Sequence, residues 1–567
     1  MSNNLNITAR FTVRAMRAAC GVAFAGFVSV AAFAQSPLYD ESSDLEKLAQ
    51  HSNSRMHYLR LSSPLRDKPQ IWEGLEEVVE ALPTSSRDYV RLERLILEKS
   101  VAELQNRVAV GELTYEEITR FFIARIHAIE TDDARYLNAV IALNPDAVDA
   151  AREADRRRSE VQPSPESFFG LPVLLKDNIG LAGIPTTAGA AVLSTNVTAD
   201  AFVTERLKRN GAIILGKANL SEWAYFFCTA CPSGYSAMGG QTLNPYGRLE
   251  FNTGGSSAGS GAAIAGGLAV AAVGSETAGS ILSPSSANSL VGLKPTTGSI
   301  SRSGVIPISS TLDTLGPMGR SVADIVALFN AMTGYDQADR AMPLLSEDLH
   351  LSLRRVDIQG LRLGFPRALQ SEPLLVEAVS KLEAAGAVVV PVDFAPPDLP
   401  EEVQFMGAEM VIELTAYLAN WANTQVPIAG ISELLAYNSQ ALNERAPYGQ
   451  ALVEMMAEFE RLLNDDRSAA LAELERLRGM VRDQTGGYLV DLFAENQLDV
   501  LVRINNSGAS AGAFANYPAL TIPAGYRDNG QPLGITLYAP SFQEQLLIDL
   551  GVVLESAGPV RRSPEGY

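Results

Sequence analysis

Apolar residues in the N-terminal part of the chain recur at helical spacing. From Asp88 to Gly111 they repeat with the period of about 3.6 residues that lines one face of a helix. Thr114-Tyr-Glu-Glu117 then has the form of a capping box that opens a second helix. By contrast, residues 35–85 are mixed and polar and contain four prolines. The pattern predicts helices after residue 86, preceded by an irregular extension over 35–85.

From Phe169 the pattern changes to short apolar runs that alternate with helices. Residues 199–209 are helical in pattern, Gly211 ends them, and the apolar run 212–215 follows. The same order recurs over 374–390. A helix, a glycine at its end and a β-branched run are typical of an α/β fold, in which helices return to a buried sheet. Similar patterns predict strands at 171–175, 361–365, 500–504, 519–522 and 534–537, and a helix from Ser321 to Gly334.

Between residues 401 and 497 the pattern is helical almost throughout, with charges between the apolar positions. We interpret this segment as a helical insertion into the α/β domain. The sequence contains no evident repeat and no Gly/Ser linker that would separate autonomous domains.

Composition and charge exclude several classes of partner and cofactor. The chain has 567 residues, of which 47% are hydrophobic and 19% charged, which is ordinary for a folded protein. Its formal net charge of −20 would repel nucleic acid and anionic membranes, so neither is an expected partner. The four histidines show no metal-ligand spacing with the cysteines, so we expect neither a metal nor a cofactor.

Residues 1–34 have the form of an export signal. Arg10, Arg14 and Arg17 precede an apolar run, and Ala32-Phe-Ala34 matches a cleavage site before Gln35. Removing three arginines would change the net charge from −20 to −23. The sequence therefore predicts a secreted or periplasmic protein; an uncleaved anchor is the alternative, although the run is short for a membrane span.

Two of the three cysteines, Cys228 and Cys231, lie in the mature part of the chain. In an oxidising compartment they can form a small disulfide, and the sequence leaves open whether they do. A redox-active pair is disfavoured, because no thioredoxin-like context surrounds them.

The segment 254–296 carries the strongest chemical signal. It is rich in glycine, alanine and serine, it contains no histidine, and it holds two serine clusters, 254–261 and 274–280. The first cluster lacks the phosphate-loop pattern, so phosphate binding is disfavoured. The alternative to a catalytic role is a purely structural one, a tight turn where a helix packs closely on the sheet. The second follows a buried run, and strand ends are where catalytic groups of α/β sheets lie. A serine nucleophile needs a base, and all four histidines lie outside residues 128–349.

Lys176 is the candidate base. It ends the apolar run 171–175, so burial would lower the pKa of its ammonium group and leave part of it as a free amine. The alternative is a structural ion pair with a carboxylate such as Asp177.

Taken together, these segments resemble the amidase signature family of serine hydrolases over nearly all of residues 95–555. The matching motifs are Leu171-Pro-Val-Leu-Leu-Lys-Asp-Asn178, Gly216-Lys-Ala-Asn-Leu-Ser-Glu222, Gly254-Gly-Ser-Ser-Ala-Gly259 through Gly292-Leu-Lys-Pro-Thr296, Asn516–Gly525 and Gln531–Ile535. The resemblance implies a large mixed sheet flanked by helices, with an amidase signature domain over 86–560 that includes the insertion.

The resemblance also implies roles for particular residues. Ser280 would be the acyl-forming nucleophile, Ser256 a bridging serine preceded by a cis peptide bond, and Lys176 the base. Backbone N–H groups of Thr277, Ala278, Gly279 and Ser280 would stabilise the oxyanion. The implied enzyme is an amidase that acts on a small amide or a short peptide amide.

Two positions depart from the commonest family pattern, Ala258 and Ala278, and we expect the second to influence substrate choice. Gly239–Pro245, Ser301–Ile308, Ala436-Tyr-Asn and Tyr448-Gly-Gln450 resemble the peptide-amidase-like group. An aryl-acylamidase, or a carbamate or ester hydrolase with the same triad, is the first alternative. An amidotransferase subunit that works on charged tRNA is opposed by the export signal and the acidity. A non-catalytic binding protein is opposed by the intact triad positions.

Overall fold

The computed structural model describes residues 41–52, 54–65, 68–342, 349–354 and 356–567. The predicted export signal, residues 1–34, lies outside the described residues. Within the described part, none of the helices is both long enough and apolar enough to span a bilayer.

The centre of the molecule is an eleven-stranded mixed sheet with the order β1-β3-β2-β6-β8-β7-β12-β13-β11-β9-β10, and β4 and β5 form a separate hairpin. The strands are β1 Val140–Leu143, β2 Pro172–Lys176, β3 Ile213–Ala218, β4 Tyr235–Ser236, β5 Gly240–Gln241, β6 Ala271–Glu276, β7 Val291–Lys294, β8 Thr314–Gly319, β9 Arg362–Pro366, β10 Val388–Val392, β11 Val500–Ile504, β12 Ala519–Tyr526 and β13 Pro532–Tyr538. The predicted α/β class and mixed sheet are confirmed.

Helices cover the sheet. The α-helices are α1 Ser42–Ala49, α2 Glu76–Ala81, α3 Arg87–Ile96, α4 Val101–Ala109, α5 Tyr115–Glu130, α6 Ala147–Val161, α7 Phe202–Arg209, α8 Ala258–Ala265, α9 Leu282–Ala287, α10 Val322–Met332, α11 Pro373–Ala384, α12 Glu401–Asn420, α13 Ile431–Ser439, α14 Leu442–Arg445, α15 Ala451–Asp465, α16 Arg467–Val481, α17 Gly487–Asn496, α18 Ala509–Phe514 and α19 Glu544–Ser556. Short 3-10 turns lie at Ser54–Tyr58, Lys68–Trp72, Ala191–Leu193, Glu222–Tyr225 and Arg367–Leu369, and a π-turn joins α16 to α17 at Arg482–Gly486.

Serine and threonine caps explain where the first helices begin. The predicted capping box at Thr114 is present: its side chain accepts from the Glu117 N–H, and Glu117 reaches back to the Thr114 N–H. The single helical segment predicted from Asp88 is two helices, α3 and α4. The break arises because Ser100 and Glu103 form a second capping box at the start of α4.

The N-terminal extension is more ordered than the sequence predicts. Its described part contains α1, α2 and two 3-10 turns. The carbonyl oxygen of Leu61 accepts hydrogen bonds from the backbone N–H of Gln241 (3.1 Å) and from Asn138 Nδ2 (2.6 Å). An ion pair of 2.5 Å between Asp44 and Arg248 adds a second link. These contacts hold the extension against the core.

The chain between β10 and β11 is the helical insertion, α12 to α17. Two apolar clusters bind it to the rest of the domain. In the first, helices α12, α13 and α15 pack on Trp223, Phe226 and Phe227. In the second, α12 and α16 pack on Leu312 and Ala513, with Ala278 at the edge. The insertion therefore contacts the loops that follow β3, β6 and β11.

Candidate active site

The site forms at the edge of the sheet where the carboxyl ends of two adjacent parallel strands, β2 and β6, lie side by side. Strand β2 pairs in parallel with β6, with Val173 opposite Ala271 and Leu175 opposite Val273. Lys176 is the last residue of β2, and Ser275 and Glu276 are the last two of β6. Because carboxyl ends of parallel strands meet at the same edge, this arrangement concentrates polar side chains there.

Lys176 is fully buried and its ammonium nitrogen has three oxygen neighbours. Nζ lies 2.7 Å from Ser256 Oγ, 2.9 Å from Ser275 Oγ and 3.0 Å from the Ser275 carbonyl oxygen, as the donor to each. None of these acceptors is a carboxylate. The sequence-predicted pair of Lys176 and Ser256 is thus brought into direct contact, and Ser275 is a third member that sequence reasoning missed.

Burial lowers the pKa of Lys176 to about 7, against a smaller opposing effect of the carboxyl groups of Asp313 and Glu276, which raise it. A lysine with this pKa is partly a free amine at neutral pH. The geometry and the burial therefore give the side chain the capacity to accept a proton.

The alternative role of Lys176, a structural ion pair with Asp177, is not what the structure contains. Asp177 instead pairs with the buried Lys217 of β3, with 3.3 Å between Nζ and Oδ1. Thr187 also donates to Asp177 from its backbone and its hydroxyl group. Successive residues of a strand point to opposite faces, so Lys176 and Asp177 are directed apart.

The glycine-rich loop brings Ser256 to Lys176. The peptide bond between Gly255 and Ser256 is cis, as the family resemblance implies, and Ser256 is fully buried. Helix α8 begins two residues later with the buried Ala258, so the methyl group at this position is accommodated. At Gly259 a Cβ atom would lie 2.4 Å from the Ala139 carbonyl oxygen, so only glycine allows α8 to approach the sheet this closely.

Ser280 lies on the loop between β6 and α9. The backbone N–H of Ser257 donates to its carbonyl oxygen at 3.1 Å, which joins the two serine clusters. Among the described residues, no group hydrogen bonds the Ser280 hydroxyl, and the residue is partly exposed. Ser256 and Ser280 are therefore linked through the backbone of the neighbouring residue, and the Ser280 hydroxyl is accessible.

The buried carboxyl group of Glu276 organises this loop. It accepts hydrogen bonds from the backbone N–H groups of Gly279 (2.7 Å), Ile281 (2.6 Å) and Leu282 (3.0 Å). Burial raises the pKa of Glu276, while Lys294 and these N–H donors act in the opposite direction. Glu276 could not be singled out from the sequence, since a carboxylate that ends a strand has no distinctive pattern.

The Glu276 contacts change the predicted oxyanion site at one position. The Gly279 N–H is already bound to Glu276, so it is not available to a substrate in this conformation. Within the described part of the chain, the N–H groups of Thr277, Ala278 and Ser280 have no hydrogen-bond acceptor. Three of the four predicted donors are therefore free, and the fourth holds the loop in shape.

A cavity of about 550 Å³ adjoins this edge of the sheet. Its floor includes Asn178, Ser275 and Thr277, which surround Lys176 and the loop after β6. The segments 302–315 and 338–341 also line it, as does the face of α12 from Ile412 to Asn420 together with the adjoining Trp421. The segment resembling the peptide-amidase-like group, Ser301–Ile308, thus forms part of the wall.

The insertion also reaches the site through Ala278. This residue packs against the apolar cluster that α12 and α16 build with Phe514. A larger or polar side chain at Ala278 would have to displace that cluster, so the position couples the nucleophile loop to the insertion.

The two cysteines that the sequence left open are joined in a disulfide, with 5.5 Å between their Cα atoms. The loop that carries it packs on the insertion, because the Leu452 N–H donates to the Phe227 carbonyl oxygen at 3.2 Å. Just before it, Trp223, Ala224 and Tyr225 have left-handed φ angles of 51°, 54° and 75°. Ala224 lines the cavity, so this loop is part of its wall.

In the described residues, no group of three or more His, Cys, Asp or Glu side chains is arranged to hold a metal ion. The buried polar groups at this edge of the sheet include Lys176, Ser256, Ser275 and Glu276, which suit proton transfer and hydrogen bonding.

A buried lysine hydrogen bonded to a serine, beside a loop with free N–H groups, defines a site suited to nucleophilic attack on a carbonyl group. Comparison with known proteins agrees with this: residues 117–503 match the family model described as Amidase. The chain therefore belongs to the amidase signature family, and it is an amide-hydrolysing enzyme.

Individual relatives are consistent with the family. A probable amidase of Arabidopsis thaliana is 36% identical over 81% of this chain and 90% of its own length. The structure of an amidase family protein from Bacillus anthracis is 34% identical and superposes with a TM-score of 0.80, covering 88% of this chain and 98% of that one. The peptide amidase of Stenotrophomonas maltophilia is 36% identical with a TM-score of 0.73, covering 82% and 98%.

Proposed function

We propose that the protein is an exported amidase that hydrolyses C-terminal peptide amides through a covalent acyl-enzyme. Ser280 would be the nucleophile, Ser256 the bridging serine and Lys176 the base. The observation that carries the proposal is the 2.7 Å contact between Lys176 Nζ and Ser256 Oγ, made by a lysine that forms no ion pair with any carboxylate of the described residues.

The proposed proton path uses this contact, and its second transfer needs the Ser280 hydroxyl to turn toward Ser256, because that hydroxyl has no hydrogen-bond partner among the described residues. Neutral Lys176 accepts the proton of the Ser256 hydroxyl while Ser256 accepts that of Ser280, and the Ser280 oxygen attacks the amide carbonyl. The relay then runs in reverse and delivers a proton to the leaving amine, because an amide anion is a very poor leaving group. Water, deprotonated by the same relay, hydrolyses the ester that Ser280 has formed and releases the acid.

The free backbone N–H groups at Thr277, Ala278 and Ser280 are the proposed oxyanion donors. Such donors act without reorganisation because their positions are fixed before the reaction. The group that fixes the positions of these donors is Glu276, whose carboxyl group accepts hydrogen bonds from three neighbouring N–H groups. In this role Glu276 positions the loop and does not touch the substrate.

The choice of peptide amides rests on two supports. One is the similarity to the peptide amidase of Stenotrophomonas maltophilia. The other is the cavity of about 550 Å³ beside the site, which has room for a short peptide. Anilides, carbamates and esters are the competing substrates.

Export is proposed from the basic and apolar pattern of residues 1–34 and from the disulfide between Cys228 and Cys231, which is typical of oxidising compartments. The N-terminal sequence of the protein recovered from the exported fraction tests it.

The function is tested on purified mature protein with a panel of one peptide amide, one anilide, one carbamate and one ester. We expect the highest kcat/KM for the peptide amide, and Ser280→Ala should abolish its turnover while thermal unfolding stays unchanged. A panel in which the anilide is preferred would replace the proposed substrate class. Undiminished turnover by a folded Ser280→Ala variant would overturn the mechanism.

A further inference from the structure

Three acidic side chains line the cavity beside the site, Asp313, Asp339 and Glu413, and the mechanism uses none of them. Glu413 lies on α12 and is the one of the three that the helical insertion supplies. It is half-buried, and it makes no hydrogen bond or ion pair with any residue that the structure describes. Its charge also helps to raise the pKa of Arg302, after the larger effects of Asp339 and Asp313.

The helix geometry directs Glu413 into the cavity. Residues spaced three or four apart share a helical face, and the α12 residues that line the cavity follow this spacing: Ile412, Glu413, Ala416, Tyr417 and Asn420. Glu413 is the single ionisable carboxyl group on this stripe. The cavity wall formed by α12 is therefore apolar or neutral except at one negative position.

A comparison with the preceding turn of the helix shows that Glu413 is not a structural carboxylate of the usual kind. Glu409, one turn earlier, is buried and fully used: it accepts from Ser309 and from Thr311 Oγ1 (2.6 Å), and it pairs with Arg478 at 3.0 Å. Glu413 has no such partners. The same helix thus supplies one carboxylate that holds the insertion in place and one that is left for a ligand.

Among the described residues, the other charged groups around the cavity form no ion pair with Glu413. Arg302 is committed to Asp339, with contacts of 2.6 Å and 2.9 Å. Asp313 accepts from Thr277 and from two backbone N–H groups, and burial raises its pKa. Arg340 is exposed. Glu413 is therefore a carboxyl group of the cavity that has no ion pair or hydrogen bond among the described residues, and a bound molecule could supply one.

The chemistry of a peptide amide supplies the matching charge. Because its C-terminus is amidated, such a peptide has no terminal carboxylate, and its one charged end group is the α-ammonium. A cavity of about 550 Å³ has a span of roughly 10 Å, which equals about three extended residues. A di- or tripeptide amide whose C-terminal carbonyl lies at the site could thus extend its N-terminus along the α12 wall.

We propose that Glu413 binds the α-ammonium group of short peptide amides, so that the enzyme prefers peptides with a free N-terminus. The inference rests on the proposed function and adds a recognition element to it. Its physical basis is an ion pair in a partly enclosed cavity, and the acidic net charge of −20 further favours cationic substrates.

The test compares a tripeptide amide with its N-acetylated form at pH 7, where the α-amino group is mostly protonated. Ammonia release gives kcat/KM for both substrates with the wild type, Glu413→Gln and Glu458→Gln. Glu458 is the matched control, because it is an exposed glutamate of α15, outside the cavity.

The wild type should prefer the free amine by about fivefold, the effect of a partly exposed ion pair. Glu413→Gln should remove this preference and leave the acetylated substrate unchanged, which also shows that the variant is folded. Glu458→Gln should keep the preference. Equal losses of kcat/KM on both substrates, or a preference that survives Glu413→Gln, would overturn this inference but leave the proposed function standing. Absence of ammonia from both peptides with the wild type would overturn the proposed function and the inference with it.

Discussion

Acidification should inactivate the enzyme through protonation of Lys176. The group must be neutral to accept a proton, and burial lowers its pKa to about 7. Below that value the neutral fraction falls tenfold per pH unit, to about one-tenth at pH 6 and about one-hundredth at pH 5. We therefore expect kcat/KM to fall about tenfold from its alkaline plateau by pH 6 and about a hundredfold by pH 5.

The assay is ammonia release from an N-acetylated peptide amide between pH 5 and pH 9. The acetylated substrate has no group that titrates in this range, so the profile reports the enzyme. Thermal unfolding measured at each pH separates loss of the base from loss of the fold. Lys176→Arg is the matched variant, because arginine keeps the positive charge but cannot release its proton, and it should be inactive at every pH. A flat profile from pH 5 to pH 8 with the fold intact would refute the assignment of Lys176 as the base.

Two other predictions concern stability and processing. Asp177→Asn should lower the free energy of unfolding by about 3–5 kcal/mol, measured in urea, because it leaves Lys217 buried without its carboxylate. The exposed pair of Glu473 and Arg476 provides the control, since Glu473→Gln should lower the free energy of unfolding by less than about 1 kcal/mol. Equal losses in the two variants would contradict the stabilising role of the buried pair. Export should yield a mature chain that begins at Gln35, and an exported protein whose mass includes residues 1–34 would show that the predicted cleavage is wrong.

Much of the sheet could be predicted from apolar runs. The strand predicted at 500–504 matches β11, and those at 361–365 and 534–537 match β9 and β13 to within a few residues. Strand β8 was missed because Thr314–Gly319 contains Pro317 and two glycines, which are typical of turns. In the fold, Pro317 lies opposite Val273 in a central antiparallel pair, so tertiary burial overrides the local preference.

The site was predictable only in part, because motifs identify residues but not their partners. Lys176, Ser256 and Ser280 were marked by their segments. The partner of Asp177 was not, because Lys217 is distant in sequence and only the parallel pairing of β2 with β3 brings them together. The alternation of side chains along a strand was the available signal, since it places Lys176 and Asp177 on opposite faces.

The use of the Gly279 N–H could not be predicted either. It depends on the carboxyl group of Glu276 bending back over the loop that follows it, and no spacing rule in a sequence specifies that contact. Glu413 could not be predicted for a similar reason. It and Glu409 are both glutamates on helix α12, one turn apart, and only the hydrogen-bond and ion-pair partners of the two side chains distinguish them.

The central claim is that the Ser280 hydroxyl is the nucleophile, and labelling with a serine-directed fluorophosphonate tests this directly. After labelling of the mature protein, peptide mass mapping should find one adduct, on Ser280, and Lys176→Met should greatly slow its formation because the relay has lost its base. An adduct on another serine, or labelling of Ser280 at an unchanged rate in the folded Lys176→Met variant, would contradict the proposed catalytic relay.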